Sequence, residues 1–389
     1  MKENESALYS QYIIDGMKCD MTPAELLEEC MDYDDYAAES ENKGSYNDII
    51  DESTEPPLSS FHPEKERLHE YMKHTEKASY GPRQFTMLYP EQFTRLQIAM
   101  ALTSRLWSKG HFRLGDLRIW AQWDWNTRPV GNMAAFYASA GAASDYIYGL
   151  GVKMTDYLFL ESDGESNARF FAWLPESEMP ETSDEEQNDT TLFKSSPYES
   201  RHPWISDSRM CSSSILPDED SWIIYIPFDT CSYRLGGSLL AQTNGRNGGP
   251  GPQIQDPDYF IDCYEVIREL VEDGIVLAGA SVGDGGLATA AGRMCQDCGM
   301  KLDVRGLMES YQETDIIKVL FGETPGVLIQ IRSNDYDYLD SQLILQDVAY
   351  YPLGHPTSQY QNVVFSSSGE SGVAGILASL LNQASEGED

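Results

Sequence analysis

Two glycine-rich turns, each running into an apolar segment with helical spacing, constrain this chain more than any other feature. The first is Tyr233-Arg-Leu-Gly-Gly-Ser-Leu-Leu-Ala-Gln242 and the second is Gly283-Asp-Gly-Gly-Leu-Ala-Thr-Ala-Ala-Gly-Arg-Met-Cys295. A Gly-Gly pair supplies backbone at positive φ, which other residues adopt only with strain. A turn of this kind also presents N–H groups at the positive end of a helix dipole, an arrangement suited to phosphate. Gly236, Gly237 and Ser238 in the first turn, and Asp284, Gly285 and Gly286 in the second, are therefore the candidate phosphate- or nucleotide-binding residues. The plainer alternative is that the glycines serve only the chain reversal.

Strand and helix patterns alternate around these turns. Residues 222–228 read as a strongly apolar strand, and 256–273 as an amphipathic helix carrying Phe260, Tyr264, Ile267 and Leu270, closed by Gly274. A short buried strand at 275–278, a helix at 284–298 and strands at 319–321 and 326–332 complete the pattern. Upstream, helices are predicted at 91–108 and 133–150, and strands at 116–125, 151–161 and 168–174. Thr22-Pro-Ala-Glu25 has the residues of a capping box with proline at the first helical position, which predicts a helix over 22–30. The alternation argues for α/β layers. The chain divides into an acidic, partly disordered extension (1–80), an N-terminal domain (81–220) with a polar insertion at 175–220, a C-terminal domain (221–362) and a tail (363–389) with a short helix at 373–381.

The formal net charge of −36 excludes an electrostatic nucleic-acid binder and repels anionic membranes. Acid is concentrated, with 16 Asp/Glu against 3 Lys in residues 1–60, which reads first as solvated surface and loops and alternatively as a docking arm for a basic protein partner. No run of 18 apolar residues is present, and the first residues lack an apolar signal core, so a cytoplasmic protein is expected. Seven cysteines, an odd number, argue for free thiols. Cys295 and Cys298 have metal-ligand spacing, but no second such pair completes a tetrahedral site, so no zinc is expected. His111 reads as a loop histidine, with an acid–base pair with Asp116 as the alternative, and His69 and His74 read as exposed. Trp120, Trp123 and Trp125 fit a strand in the core or at a dimer interface.

Several segments together resemble the second synthetase half of phosphoribosylformylglycinamidine synthase, within the aminoimidazole ribonucleotide synthetase superfamily. The helix Thr94-Arg-Leu-Gln-Ile-Ala-Met-Ala-Leu-Thr-Ser104 is similar to that family's Ala-Arg-Leu-Ala-Val-x-Glu-Ala-Leu-Thr-Asn. Ile119-Trp-Ala-Gln-Trp-Asp-Trp125 resembles its Ser-Ala-Asn-Trp-Met-Trp strand, and 145–152 the helix end before its Leu-Gly-Ile turn. Leu235-Gly-Gly-Ser-Leu-Leu-Ala-Gln242 and Asp284-Gly-Gly-Leu287 resemble its two glycine-rich turns. Residues 320–331 resemble its penultimate strand, and Leu353-Gly-His-Pro356 its end. The resemblance covers about 270 residues, roughly 90–360. It implies a two-domain α/β (α+β) fold: an N-terminal dimerising mixed sheet or half-barrel and a C-terminal α/β domain. It also implies ATP and Mg²⁺ as ligands, and a homodimer where only one half is present.

The departures fall where that chemistry would sit. The family's Mg²⁺-binding Glu and Asn correspond to Met100 and Ser104. Its glycine- and lysine-containing phosphate loop corresponds to Lys153-Met-Thr-Asp-Tyr-Leu-Phe159, and its His-Asp before the second turn to Ala280-Ser281. Asp284 is the acid left there, and Asp156 and Asp124 are the candidates for a substitute metal site with it. Three readings follow. The first is a catalytically silent module that still binds a nucleotide or a purine intermediate. The others are an active ATP-dependent, amidine-forming ligase using external ammonia, and an acidic interaction scaffold.

Overall fold

The computed structural model describes residues 2–3, 5–31, 44–50, 89–175, 208–243, 251–296, 298–359 and 363–366. The tail helix expected at 373–381, most of the 175–220 insertion, and His62, His69, His74 and His202 lie outside the described residues. The first half runs β1 (Lys2–Glu3), α1 (Glu5–Tyr9), β2 (Gln11–Ile14), β3 (Met17–Lys18), α2 (Pro23–Glu28), β4 (Ser45–Asp48), α3 (Pro90–Thr103), β5 (Arg118–Trp125), α4 (Asn132–Gly149), β6 (Lys153–Glu161) and β7 (Asn167–Trp173). The second half runs β8 (Trp222–Pro227), α5 (Leu239–Thr243), α6 (Pro257–Glu272), β9 (Val276–Val282), α7 (Gly286–Met294), β10 (Gly299–Asp303), α8 (Arg305–Ser310), α9 (Ile316–Phe321), β11 (Gly326–Ile331), α10 (Tyr336–Leu345), β12 (Tyr351–Thr357) and β13 (Val363–Ser366).

A mixed four-stranded sheet, ordered β1-β6-β5-β7, forms the first layer, with β5 and β6 parallel and the outer pairings antiparallel. The predicted alternation on β5 is present: Trp123 and Trp125 are fully buried on the face that meets α4. Trp123 packs edge-on against Phe136 and Phe170, while its indole N–H donates to Ser139 Oγ (2.9 Å). Ser139 Oγ also lies 2.7 Å from Thr94 Oγ1, so this buried polar group joins α3, α4 and the sheet. The opposite face of β5 carries Trp120 and Asp124.

A six-stranded sheet, β13-β10-β12-β8-β11-β9, forms the second layer, antiparallel except for β10 with β13. Helix α6 starts at the cap Asp256, whose carboxylate accepts from Tyr259 N (3.1 Å), and buries Phe260, Tyr264, Ile267 and Leu270. The fold is a mixed α/β arrangement.

Residues 319–321 are helical rather than a strand. Asp315 caps α9 by accepting from Ile317 N (3.0 Å), and the apolar run that suggested a strand is buried on all sides of a short helix. A fully buried helical turn and a buried strand have the same composition, so periodicity does not separate them. The helix expected over 284–298 stops at Met294, because Cys295 turns extended, and the strand expected at 275–278 continues to Val282.

The described part of the acidic extension packs on the globular body. The predicted capping box is present in α2: Glu25 N donates to Thr22 Oγ1 (3.3 Å) and Thr22 N to Glu25 Oε2 (2.6 Å). Ala7, Tyr12, Ala24 and Leu27 are fully buried, and Met154 N donates to Cys30 O (2.7 Å).

Candidate functional site

The two glycine-rich turns converge at one end of the second layer. In the first, Gly237 has φ +67° and leads into α5. Ser238 is fully buried; its hydroxyl donates to Leu235 O (2.7 Å) and accepts from Ala241 N (3.2 Å). In the second, Gly285 (φ +81°) and Gly286 (φ +70°) lead into α7, and a Cβ on Gly286 would lie 2.6 Å from Leu320 O. Both turns thus need glycine for positive φ, and the second also for close approach to α9.

Between the turns lies Glu323, fully buried. Its Oε1 accepts from Leu239 N (2.9 Å) and from Gly285 N (2.8 Å), so one carboxylate oxygen bridges the two turns. The residue belongs to the stretch read as the penultimate strand, which begins only at Gly326. A lone acid inside an apolar, small-residue run was the available signal, since a buried carboxylate needs donors close by.

Helix α3 forms the other wall. Met100 lies against Gly283: a Cβ there would meet Met100 Cε at 3.0 Å and Sδ at 3.3 Å. Ser104 Oγ donates to Ala101 O (2.6 Å) within its own helix. Trp107 lies against Gly279, and its indole N–H donates to Ser281 Oγ (3.0 Å), which donates on to Thr103 O (2.9 Å). Ser281, in the place of the family's acid, thereby ties α3 to β9. Gly236 and Gly237 close a shallow recess against Tyr89, Gln92 and Phe93 at the start of α3. Asp284 is half-buried beside these groups.

These residues do not fit a Mg²⁺ ion. A hard cation takes oxygen ligands, whereas position 100 offers a thioether and the position 104 hydroxyl is committed to the helix backbone. The substitute set of Asp284, Asp156 and Asp124 is not assembled: among the described residues no three His, Cys, Asp or Glu are grouped to hold a metal, and Asp124 is paired with Arg169 across the first sheet. The residues matching the phosphate loop, 153–159, lie within β6.

His111 lies in a loop, as read, and the alternative pair with Asp116 is not formed. His111 Nδ1 lies 2.6 Å from Glu272 Oε2, and Asp116 accepts from Arg113 N at 2.7 Å. Cys298 is buried with Sγ 3.8 Å from Ile215 O, and burial pushes the Cys295 thiol up to about 12, so it stays protonated.

Comparison with known proteins agrees with the resemblance read from the motifs. Residues 223–349 match the family described as AIR synthase related protein, C-terminal domain. The probable chloroplastic/mitochondrial phosphoribosylformylglycinamidine synthase of Arabidopsis thaliana is 25% identical over 281 residues, which is 70% of this chain and 18% of that protein. The Homo sapiens phosphoribosylformylglycinamidine synthase is 28% identical over 121 residues, 31% of this chain and 9% of that protein. The chain therefore spans less than a fifth of the length of either relative. Among solved structures, T. maritima PurL complexed with FGAR superimposes with TM-score 0.48 at 10% identity, covering 74% of this chain and 42% of that one. The E. coli hydrogenase maturation protein HypE gives 0.42 at 12% identity, covering 71% and 77%. Over its second half the chain is therefore similar to AIR synthase related proteins. It is also similar to phosphoribosylformylglycinamidine synthases over a small part of their length.

Proposed function

We propose that this chain is a phosphoribosylformylglycinamidine synthase-like module that has lost Mg²⁺–ATP chemistry. One observation carries the reading: the thioether of Met100, at the position of the family's magnesium-binding acid, is packed on Gly283 beside the second turn. Phosphoryl transfer depends on positioning and on neutralising developing charge, and a thioether supplies no such charge. Calorimetric titration with ATP, with and without Mg²⁺, tests it, together with an assay for ADP release in the presence of formylglycinamide ribonucleotide and ammonia. The expected outcome is no Mg²⁺-dependent heat and no ADP. Mg²⁺-dependent ADP release would instead establish an active, ammonia-using ligase.

The reading includes self-association through the outer face of the first sheet. There Phe171 is 44% exposed and its ring lies 5.4 Å from that of Trp120, next to the Asp124–Arg169 pair. This face sets aromatic rings beside paired opposite charges in a chain of net charge −36, so two copies can approach there with little repulsion. Light scattering should report a dimer, and Phe171→Asp a monomer.

A further inference from the structure

We propose that the outward face of α10 is a docking site for a cationic amphipathic helix of another protein. The inference is independent of the nucleotide reading. Leu339 and Leu343, which anchor α10, belong to the core shared with α6, whereas Leu235, Leu240 and Leu287 of the glycine-rich turns belong to the other.

Three observations carry it. The first is a fixed helix with an apolar outer side. Leu339 and Leu343 are fully buried, and residues 338, 341, 344 and 345 fall on the opposite side of the same helix. There Leu345 is 76% exposed, the highest value for a large apolar side chain among the described residues, with Ile344 at 65% and Tyr338 at 44%. One exposed apolar side chain is ordinary, but three on one helix face mark an interaction surface. The second is the rim. Residues 333–350 carry four Asp and no Lys or Arg. Asp337 and Asp347 are exposed, and Tyr338 Oη donates at 3.3 Å to the exposed Asp273, just past the end of α6. The third is Asp347 itself. It stands at φ +54° beyond the helix, where its N–H donates to Ile344 O (3.1 Å) and Val348 N to Leu343 O (2.9 Å). Glycine suits that position best, and the helix dipole favours a cation there. A carboxylate runs against both local preferences and sets its charge two residues from Leu345.

Charge decides the occupant. A second copy would set the same aspartates against each other across a symmetric contact, and an anionic membrane would be repelled. A partner helix with an apolar stripe bordered by Lys or Arg matches both parts of the surface. Its stripe covers Tyr338, Ile344 and Leu345, and its cations face Asp273, Asp337 and Asp347.

The test is fluorescence anisotropy of a labelled leucine–lysine amphipathic peptide titrated with the full chain, at about 0.15 M salt, where remote charges are screened. Saturable one-to-one binding is expected, and none of a leucine–glutamate peptide of the same pattern. Leu345→Glu should weaken binding at least about tenfold through the lost apolar contact. Met17→Glu adds the same charge at a comparably exposed residue outside the patch and should bind as the wild-type chain does. Attraction to net charge alone predicts otherwise, because both variants make the chain more negative. Undiminished binding by Leu345→Glu therefore overturns the proposal. An equal loss in Met17→Glu, binding of the leucine–glutamate peptide, or no saturable binding by the wild-type chain overturns it as well. Leu345→Ala, which adds no charge, should lose a smaller share of the affinity at an unchanged melting temperature, and wild-type affinity there also counts against the site. ATP and Mg²⁺ enter none of these readouts.

Discussion

Asp48 Oδ1 accepts from the N–H of Gly131 at 2.7 Å, a bond that spans 83 residues of chain. Its other oxygen accepts from Met133 N (2.9 Å) and Ala134 N (3.1 Å), so one carboxylate caps the first turn of the 18-residue helix α4. Gly131 has no side chain with which to cap that helix itself. The negative charge also faces the positive end of the dipole. Asp48→Ala is expected to lower stability by about 1–2 kcal/mol, the usual range for a lost N-cap. Asp48→Asn, which keeps one acceptor oxygen, should lose less. Urea denaturation of both variants measures the difference, and hydrogen exchange should show faster opening of residues 5–31 in Asp48→Ala.

Arg268 is the most demanding buried group in the second half. Its side chain is fully buried; Nη1 donates to Leu106 O (2.7 Å) and Ser108 O (2.8 Å), Nη2 to Gly110 O, and Nε to Glu272 Oε1 (2.8 Å). The guanidinium also lies over the Phe112 ring, 3.9 Å from its centroid. The planar fork thus holds the whole 106–112 connection against α6. Removing one partner of a buried charge pair costs about 3–5 kcal/mol, and that is the loss expected for Arg268→Ala. Arg268→Lys should recover little of it, because an ammonium cannot reach three carbonyls and a carboxylate at once. Equilibrium unfolding with matched m-values checks both.

Much of the frame was legible from local chemistry. Thr22, Pro23 and Glu25 announce a helix start because each acts within four residues, and the glycines at 237, 285 and 286 adopt positive φ as their pairing suggests. The strand of tryptophans was readable because alternation is a backbone property. The pairings that sequence reading missed share one cause, which is dependence on partners far away in sequence. Glu323 is meaningful only beside Leu239 and Gly285, Asp48 only beside Gly131, and His111 chose Glu272 over the nearer Asp116. Composition does not encode such pairings.

The carboxyl groups of α6 should leave opposite marks on the pH dependence of stability. Burial pushes Glu272 up, but hydrogen bonds from His111 and Arg268 outweigh it and hold its pKa below the ordinary 4.5. A carboxylate depressed in the folded state contributes stability above its unfolded pKa, and that contribution is lost as pH falls through the folded value. Burial pushes Glu265 above its ordinary value, against the Leu114 N–H and Arg113. Its ionisation therefore costs stability as pH rises through the unfolded pKa. Glu272→Gln should flatten the loss of stability below about pH 5, and Glu265→Gln should steepen it. Melting temperatures from pH 3 to 8 separate the two.

Gly283 and Gly286 stand in the same turn yet should respond unequally to a methyl group. At Gly286 a Cβ would lie 2.6 Å from Leu320 O and 2.8 Å from Phe321 Cα, both backbone atoms, and φ is +70°. Positive φ costs an L-residue about 1–2 kcal/mol, and forced overpacking adds about 1–3 kcal/mol. Gly286→Ala is thus expected to destabilise by several kcal/mol and to disturb the Gly285 N–H that meets Glu323. At Gly283 the obstacle is the flexible end of Met100, with Cε 3.0 Å from the added carbon. A methionine has three rotatable bonds with which to yield, so Gly283→Ala should cost under about 1.5 kcal/mol, within the range of tolerated repacking. Combining it with Met100→Ala tests the contact directly. If Met100 is the group that the new methyl meets, the double variant should be more stable than the sum of the single changes predicts, by an amount that a double-mutant cycle reads as a coupling energy. Strict additivity would mean that Met100 is not the group the new methyl meets.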